Sequence, residues 1–150
     1  MEMIVKMGIT ILVIDPYSDL MSGMENSKQE EFSSWMKKIV KEYPVSLVLV
    51  CHTRKGNGKD KRRLEEEDII GSSTIMKSSA QTISLERDKL AESEFQRNIT
   101  SVAIHKNRHS GQTGEAGEIF YEWQTGRLYD KDEYLKIHPD LASFEDKPDE

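Results

Sequence analysis

The sequence predicts an α/β fold with a mainly parallel sheet that ends in an antiparallel hairpin. Two runs of aliphatic residues, at positions 11–14 and 45–51, are typical of buried strands that are covered on both faces. A helical pattern lies between the two runs, and a strand–helix–strand unit places its two strands side by side and parallel. Such sheets bind ligands where the carboxyl ends of their strands meet, so we expect functional residues at that edge.

The helix between the two strands is predicted over residues 26–43, because its apolar residues recur every three or four positions. Asn26 or Ser27 is the expected N-cap, and Pro44 ends the helix. The apolar positions are Phe32, Trp35, Met36, Ile39 and Val40.

The remaining elements are predicted from shorter patterns. Residues 53–68 form a charged loop without hydrophobic period, which is either a solvated surface loop or one that contacts phosphate groups. After it we predict a short helix at 71–80, strands at 81–86 and 98–105, and a closing hairpin at 118–123 and 127–129. Residues 131–150 are acidic and are predicted to be an extended or disordered tail.

Composition limits the class of protein. The chain has 150 residues, a formal net charge of -6 and 36% hydrophobic residues, which suits one domain with a real core. No apolar run approaches the roughly 20 residues that a membrane span requires, and no signal-peptide pattern is present. A single cysteine, Cys51, excludes an intramolecular disulfide. Because the acidity is concentrated in the tail, a nucleic-acid interaction would depend on a local basic patch.

Two polar residues follow the two aliphatic strands. Asp15 comes directly after the first strand, and His52 comes directly after the second. In nucleoside triphosphatases an Asp at the tip of such a strand is the Walker B residue, which helps to hold Mg²⁺. Many strands also end in Asp at an ordinary turn, so this position alone leaves both interpretations open.

The order of the motifs points to a family. The segments ILVID, LVLVCH, DIIGSS, SAQTISLERD, IHKNRHSGQTGEAG and FYEWQTGRLYD follow one another along the chain. This series closely resembles the C-terminal half of the RecA-like motor domain of replicative hexameric DNA helicases. The nearest likeness is to phage primase-helicases and the mitochondrial helicase Twinkle, and the bacterial DnaB type is further off. The resemblance covers residues 8–130 and implies a partial RecA-like three-layer fold.

The resemblance implies roles for four residues. Asp15 is the expected Walker B carboxylate, which acts on Mg²⁺ bound with ATP or another NTP. His52 is the expected sensor of the γ-phosphate. Arg108 is the expected arginine finger for the nucleotide of the neighbouring subunit, and Lys106 is its companion on the same strand face. The alternatives are a strand-end histidine bonded to backbone and an exposed basic strand end.

The resemblance also implies partners. The charged loop corresponds to a loop that grips single-stranded DNA in the central channel of the ring, with Arg54, Lys55, Lys59 and Lys61 as candidates. Gly71 lies where the family has a second loop facing DNA, although Ile70 replaces the arginine that commonly precedes that glycine. The acidic tail resembles those with which phage helicases contact DNA polymerase, and a solubilising tail is the alternative. The expected location is the cytoplasm, of the host if the gene is carried by a phage.

One motif of the family is missing from these residues. The 150 residues contain no G-x-x-x-x-G-K-[ST], the Walker A loop that cradles phosphates, and no counterpart of the catalytic Glu. We therefore expect the chain alone not to hydrolyse ATP, but to act with identical or P-loop-bearing subunits in a ring. The alternative is a non-catalytic RecA-like module that joins a helicase ring or binds replication proteins. Another RecA-like ATPase, such as a recombinase, is less favoured because of the K-x-R and G-x-T-G pattern.

Overall fold

The structure is a computed structural model that describes residues 6–53 and 77–144. It divides into two compact units, Met1–Ser79 and Ala80–Glu150. The first unit contains a two-stranded sheet and the second unit a four-stranded sheet. The predicted α/β class is therefore confirmed, with one parallel and one antiparallel sheet.

The first unit is the predicted strand–helix–strand unit with one additional short helix. Its elements are β1 (Ile11–Ile14), α1 (Tyr17–Met21), α2 (Asn26–Glu42) and β2 (Ser46–Leu49). β1 and β2 pair in parallel, in a register that joins Ile11 to Ser46 and Ile14 to Leu49. The two strands consequently end at the same edge of the sheet.

Helix α2 confirms the predicted helix, but its cap and one part of its apolar face differ. The N-cap is Glu25, without a side-chain cap, rather than Asn26 or Ser27. Met36 and Ile39 are buried as expected, whereas Trp35 is 47% exposed. The period of a helix specifies which residues share a face, but only the packed neighbours determine how wide the covered stripe becomes.

The core of the first unit lies on one face of its sheet. Tyr17, Met21 and Met36 form the buried centre. Ile14, Leu47, Leu49 and Cys51 are among the partly buried residues that pack against this centre. On the other face, Ile11 is 61% exposed and Val13 is 56% exposed. The expectation that these strands are covered on both faces is therefore wrong for this unit.

The second unit is an antiparallel sheet with helices. Its elements are β3 (Gln81–Glu86), α3 (Glu94–Arg97), β4 (Ile99–Asn107), β5 (Gly114–Glu122), β6 (Arg127–Asp130), α4 (Lys131–Ile137) and a 3₁₀ helix (Pro139–Phe144). The strand order is β3-β4-β5-β6, and each neighbouring pair is antiparallel. The antiparallel part is therefore larger than the predicted hairpin. The only helix between β3 and β4 is a single turn, too short for the crossover that parallel strands require.

The connection between β3 and β4 is held by a compact set of hydrogen bonds. Arg87 Nη2 donates to Asn98 Oδ1 at 2.6 Å, and Arg97 Nη1 donates to the carbonyl oxygen of Ala91 at 2.8 Å. Ser93 and Gln96 form a reciprocal capping box at the start of α3. This segment, which the sequence predicted only as a polar connection, is thus an ordered part of the second unit.

The chain continues as a helix beyond residue 130. Asp130 Oδ1 accepts a hydrogen bond from Glu133 N at 3.0 Å, which caps α4. Tyr134 packs against Phe120 with a centroid distance of 4.3 Å, and Phe120 packs against Phe95 at 4.9 Å. The prediction of an extended or disordered tail is therefore wrong for residues 131–144, which are held by this cap, by the aromatic packing and by an ion pair of 2.6 Å between Lys131 and Glu118. Residues 145–150 lie outside the described residues.

The aromatic cluster of the second unit is hydrogen-bonded to a carboxylate on β5, that of Glu122. Glu122 accepts hydrogen bonds from Thr125 Oγ1, from Tyr134 Oη at 2.9 Å and from Tyr129 Oη at 3.4 Å. These donors, Thr125 first and Tyr134 second, hold the pKa of Glu122 below its usual value. Burial, together with the bond to Glu122, raises the pKa of Tyr134 to about 12.

The network predicts a loss of stability in alkali. Because the pKa of Tyr134 in the folded chain lies above its ordinary value of 10.0, its contribution is complete below pH 10 and is lost as the pH rises towards 12. We expect the free energy of unfolding, measured with a denaturant, to fall over this range. Tyr134→Phe should retain the ring packing but show a smaller fall. An equal fall in both proteins would contradict the assignment to Tyr134.

Candidate functional site

Asp15 and His52 lie at the carboxyl edge of the parallel sheet. Asp15 directly follows β1. His52 lies three residues beyond the end of β2, the strand that pairs with β1. Both side chains are exposed. The structure therefore brings the two residues to the same edge, as the order of the elements predicted.

Backbone hydrogen bonds hold the two chain segments together beyond the strand ends. Val50 N donates to the carbonyl oxygen of Ile14 at 2.9 Å, and Tyr17 N donates to the carbonyl oxygen of Val50 at 2.7 Å. Asp15 thus lies between two residues that are bonded to the same residue of the neighbouring segment. The backbone around the exposed carboxylate of Asp15 is therefore held in place by hydrogen bonds to Val50.

The neighbours of these two residues are anchored in the core. Tyr17 is 1% exposed, and burial raises the pKa of its hydroxyl. Cys51, which precedes His52, packs against the same core, and burial raises the pKa of its thiol as well. Cys51 is therefore an uncharged packing residue at neutral pH rather than a reactive thiolate.

Lys106 and Arg108 lie at the end of β4 in the second unit. Lys106 pairs with Thr82 of β3, whereas Arg108 is the first residue after the strand. Arg108 N donates to the carbonyl oxygen of Ala80 at 2.9 Å, so the contact with the neighbouring segment continues for one more residue. The prediction that both residues lie on the strand is wrong for Arg108, whose exposed side chain belongs to the following turn.

Asn107 was missed by the sequence analysis. Its Oδ1 accepts hydrogen bonds from His109 N at 3.1 Å and from Ser110 N at 3.4 Å, and its Nδ2 donates to Ser110 Oγ at 2.8 Å. An Asn directly before a turn that contains Ser and Gly is a recognisable signal for this arrangement. It would have placed the end of the strand at Asn107.

The remaining predicted residues fall outside this geometry. The DNA-contacting candidates Arg54, Lys55, Lys59, Lys61 and Gly71 lie outside the described residues. Within residues 6–53 and 77–144, no group of three or more His, Cys, Asp or Glu side chains could hold a metal ion by itself. No helix in this part of the chain is long and apolar enough to cross a membrane.

Comparison with solved structures defines the class of fold. A solved ATPase domain superposes on this chain with a TM-score of 0.64 at 21% identity, over 81% of this chain and 44% of that one. A DnaB-like replicative helicase, solved for its interactions with primase, gives 0.62 at 22% identity, over 80% of this chain and 30% of that one. The chain therefore has the fold of part of these RecA-like domains.

Sequence comparison gives a particular relative. The DNA helicase/primase of Enterobacteria phage T3 is 29% identical in an alignment of 130 residues that covers 81% of this chain. The match spans about a fifth of that relative, 22% of its length. No family model matches the chain. The resemblance to phage primase-helicases and to the DnaB type, inferred from the order of the motifs, is confirmed.

Proposed function

We propose that this chain is part of the motor domain of a ring-forming, NTP-dependent replicative DNA helicase that moves along single-stranded DNA. One observation carries the proposal: Asp15 and His52 both lie beyond the carboxyl ends of two paired parallel strands, in a chain that resembles solved ATPase domains over four fifths of its length. The carboxyl edge is where open α/β sheets bind their ligands. The complete helicase activity and its partners are inferred for the assembly in which this chain takes part.

The first half of the proposed site belongs to the subunit that binds the nucleotide. Mg²⁺ is commonly bound through one or two carboxylates together with phosphates and water, so the single exposed carboxylate of Asp15 fits such an ion. Bound there with ATP or another NTP, the ion would neutralise charge on the phosphates. His52, exposed at the same edge, would donate a hydrogen bond to a phosphate oxygen and detect its release.

The second half acts on the neighbouring subunit. The exposed guanidinium of Arg108 would contact the phosphates of the nucleotide bound next to it and offset the charge of the transition state. Lys106, on the preceding strand, would add a second positive charge. The Walker A loop would come from residues outside these 150, which contain none.

Other contacts in the ring remain predictions from the sequence. The basic residues between positions 54 and 61 would bind the DNA backbone, and such contacts do not depend on base sequence. The acidic residues at the C-terminus would contact a DNA polymerase. A solubilising role for those residues is the alternative.

Substitution of the Walker B candidate tests the proposal. Asp15→Asn should lower DNA-stimulated NTP hydrolysis by roughly 10²-fold in the assembly with the P-loop polypeptide, because a metal-held charge contributes several kcal/mol. Asp19→Asn is the matched control, since Asp19 is an exposed carboxylate on α1 of the same unit. Equal rates for wild type and Asp15→Asn would exclude the role.

The alternative is a non-catalytic module that joins a helicase ring or binds replication proteins. Under this alternative the chain would join other subunits without taking part in nucleotide hydrolysis. Hydrolysis by the purified chain, with and without single-stranded DNA, should be absent under both proposals. Addition of a P-loop-bearing subunit should produce DNA-stimulated hydrolysis if the chain is a motor part, and no hydrolysis if it is only a binding module.

A further inference from the structure

We propose that Asn107 is a positioning residue for Arg108, and that its side chain closes the turn from which the arginine reaches the neighbouring nucleotide. The inference rests on the proposed function, because it assigns a role in the same reaction. Asn107 lies between the two basic residues of the site, Lys106 and Arg108. Its amide contacts the backbone and the side chain of Ser110 rather than the reacting groups, so its effect would pass through Arg108.

The amide of Asn107 bonds to both residues that follow Arg108. Its Oδ1 accepts from His109 N at 3.1 Å and from Ser110 N at 3.4 Å, and its Nδ2 donates to Ser110 Oγ at 2.8 Å. The side chain thus uses both its acceptor and its donor within one turn. Ser110 Oγ in turn accepts from Gln112 N at 3.2 Å, so the bonds extend along the turn.

Backbone bonds fix the same turn on either side of Arg108. Gly111 N donates to the carbonyl oxygen of Asn107 at 2.8 Å, and Arg108 N donates to the carbonyl oxygen of Ala80 at 2.9 Å. Gly111 has a φ of +72°, which a glycine adopts without strain. The backbone of Arg108 is therefore held on both sides, and its side chain is exposed.

A rigid backbone matters for an arginine that acts across a subunit boundary. The side chain already loses rotamer freedom when it binds phosphate, and a mobile backbone would add to that cost. Misplacement by about 1 Å can cost roughly 10²-fold in rate. Residues 108–114 are all exposed, and none belongs to the hydrophobic core of the unit. The turn is therefore restrained by hydrogen bonds such as those of Asn107 rather than by core packing.

The experiment has one measurement on the chain alone and one on the assembly. In the chain, Asn107→Ala should increase amide hydrogen exchange at His109 and Ser110 by roughly tenfold, because each loses its acceptor. In the assembly with the P-loop subunit, the same variant should lower kcat for DNA-stimulated hydrolysis roughly tenfold and leave KM unchanged. The midpoint of thermal unfolding should stay close to that of the wild type.

Two further variants separate positioning from folding. Asn107→Asp retains an acceptor for both amides and should restore protection at His109 and Ser110 and keep kcat within about threefold of wild type. Gln112→Ala, in the same exposed turn, is the matched control and should behave as wild type. If Asn107→Ala fails to fold, the inference is tested with Asn107→Asp instead. A tenfold lower kcat in that variant, with the amides of His109 and Ser110 still protected, would overturn the inference.

The outcomes distinguish this inference from the function on which it rests. If the Arg108→Ala assembly is inactive while the Asn107→Ala assembly is fully active, the positioning role is refuted and the proposed function stands. Unchanged exchange at His109 and Ser110, or a parallel loss of kcat and unfolding midpoint, would also refute it. No hydrolysis by the wild-type assembly, or full activity of Arg108→Ala, would contradict the proposed function and the inference together.

Discussion

Arg108→Ala is expected to lower DNA-stimulated nucleotide hydrolysis by roughly 10³-fold or more, because an arginine finger supplies that much of the rate in related reactions. The exposed guanidinium lies in the turn after β4, without a place in the core, so the fold should persist. The measurement is the steady-state hydrolysis rate of the assembly with the P-loop subunit. Arg127→Ala, an exposed arginine at the start of β6, is the control and should retain full activity.

A mixing experiment tests whether Arg108 acts on the neighbouring subunit. Subunits with Arg108→Ala retain Asp15, and subunits with Asp15→Asn retain Arg108. In randomly mixed rings with head-to-tail contacts, roughly a quarter of the interfaces combine an intact Asp15 with an intact Arg108 from the next subunit. Equal mixing should therefore restore part of the hydrolysis that both variants lack alone. No recovery would contradict action across the interface.

Phe120→Ala is expected to lower the free energy of unfolding by about 3–5 kcal/mol. Phe120 is 7% exposed and is stacked between Phe95 and Tyr134, with centroid distances of 4.9 and 4.3 Å. Its removal would leave a cavity that joins β5, α3 and α4, so the whole second unit should be affected. Denaturant unfolding at neutral pH provides the measurement.

A substitution on the exposed side of the hairpin provides the comparison for Phe120. Leu128 is 67% exposed on β6, and Leu128→Ala should change the free energy of unfolding by less than about 1 kcal/mol. A similar, small change for both variants would show that the aromatic cluster does not stabilise the unit. A large change for Leu128→Ala would show that this surface is buried in the protein in solution.

The sequence allowed the first unit and its polar edge to be predicted. The aliphatic runs and the helical period are local signals, and a strand–helix–strand order leaves little choice of topology. Asp15 and His52 could therefore be placed at one edge before any coordinates were considered. The N-cap of α2 was less predictable, because several successive polar residues could each act as the cap. The observed N-cap, Glu25, is neither of the two predicted residues.

Several features of the second unit could not be predicted from the sequence. The hairpin of β5 and β6 was expected, but not the antiparallel pairing of β3 with β4, which depends on contacts between distant residues. Helix α4 was missed because it has only 7 residues, and the packing of Tyr134 against Phe120 is not visible as a local pattern in the sequence. The end of β4 at Asn107 depends on side-chain hydrogen bonds, which hydrophobic period does not describe.

The amino-acid sequence by itself determined the α/β class, the helicase-like order of motifs and the residues that carry charge to the candidate site. Local period and residue chemistry are sufficient for these features. Only the tertiary structure decided which strand faces are covered, that β3 and β4 pair antiparallel and how the turn of Arg108 is closed. Those features depend on hydrogen bonds and packing between residues that are far apart along the chain, or on one side chain that replaces a regular backbone bond.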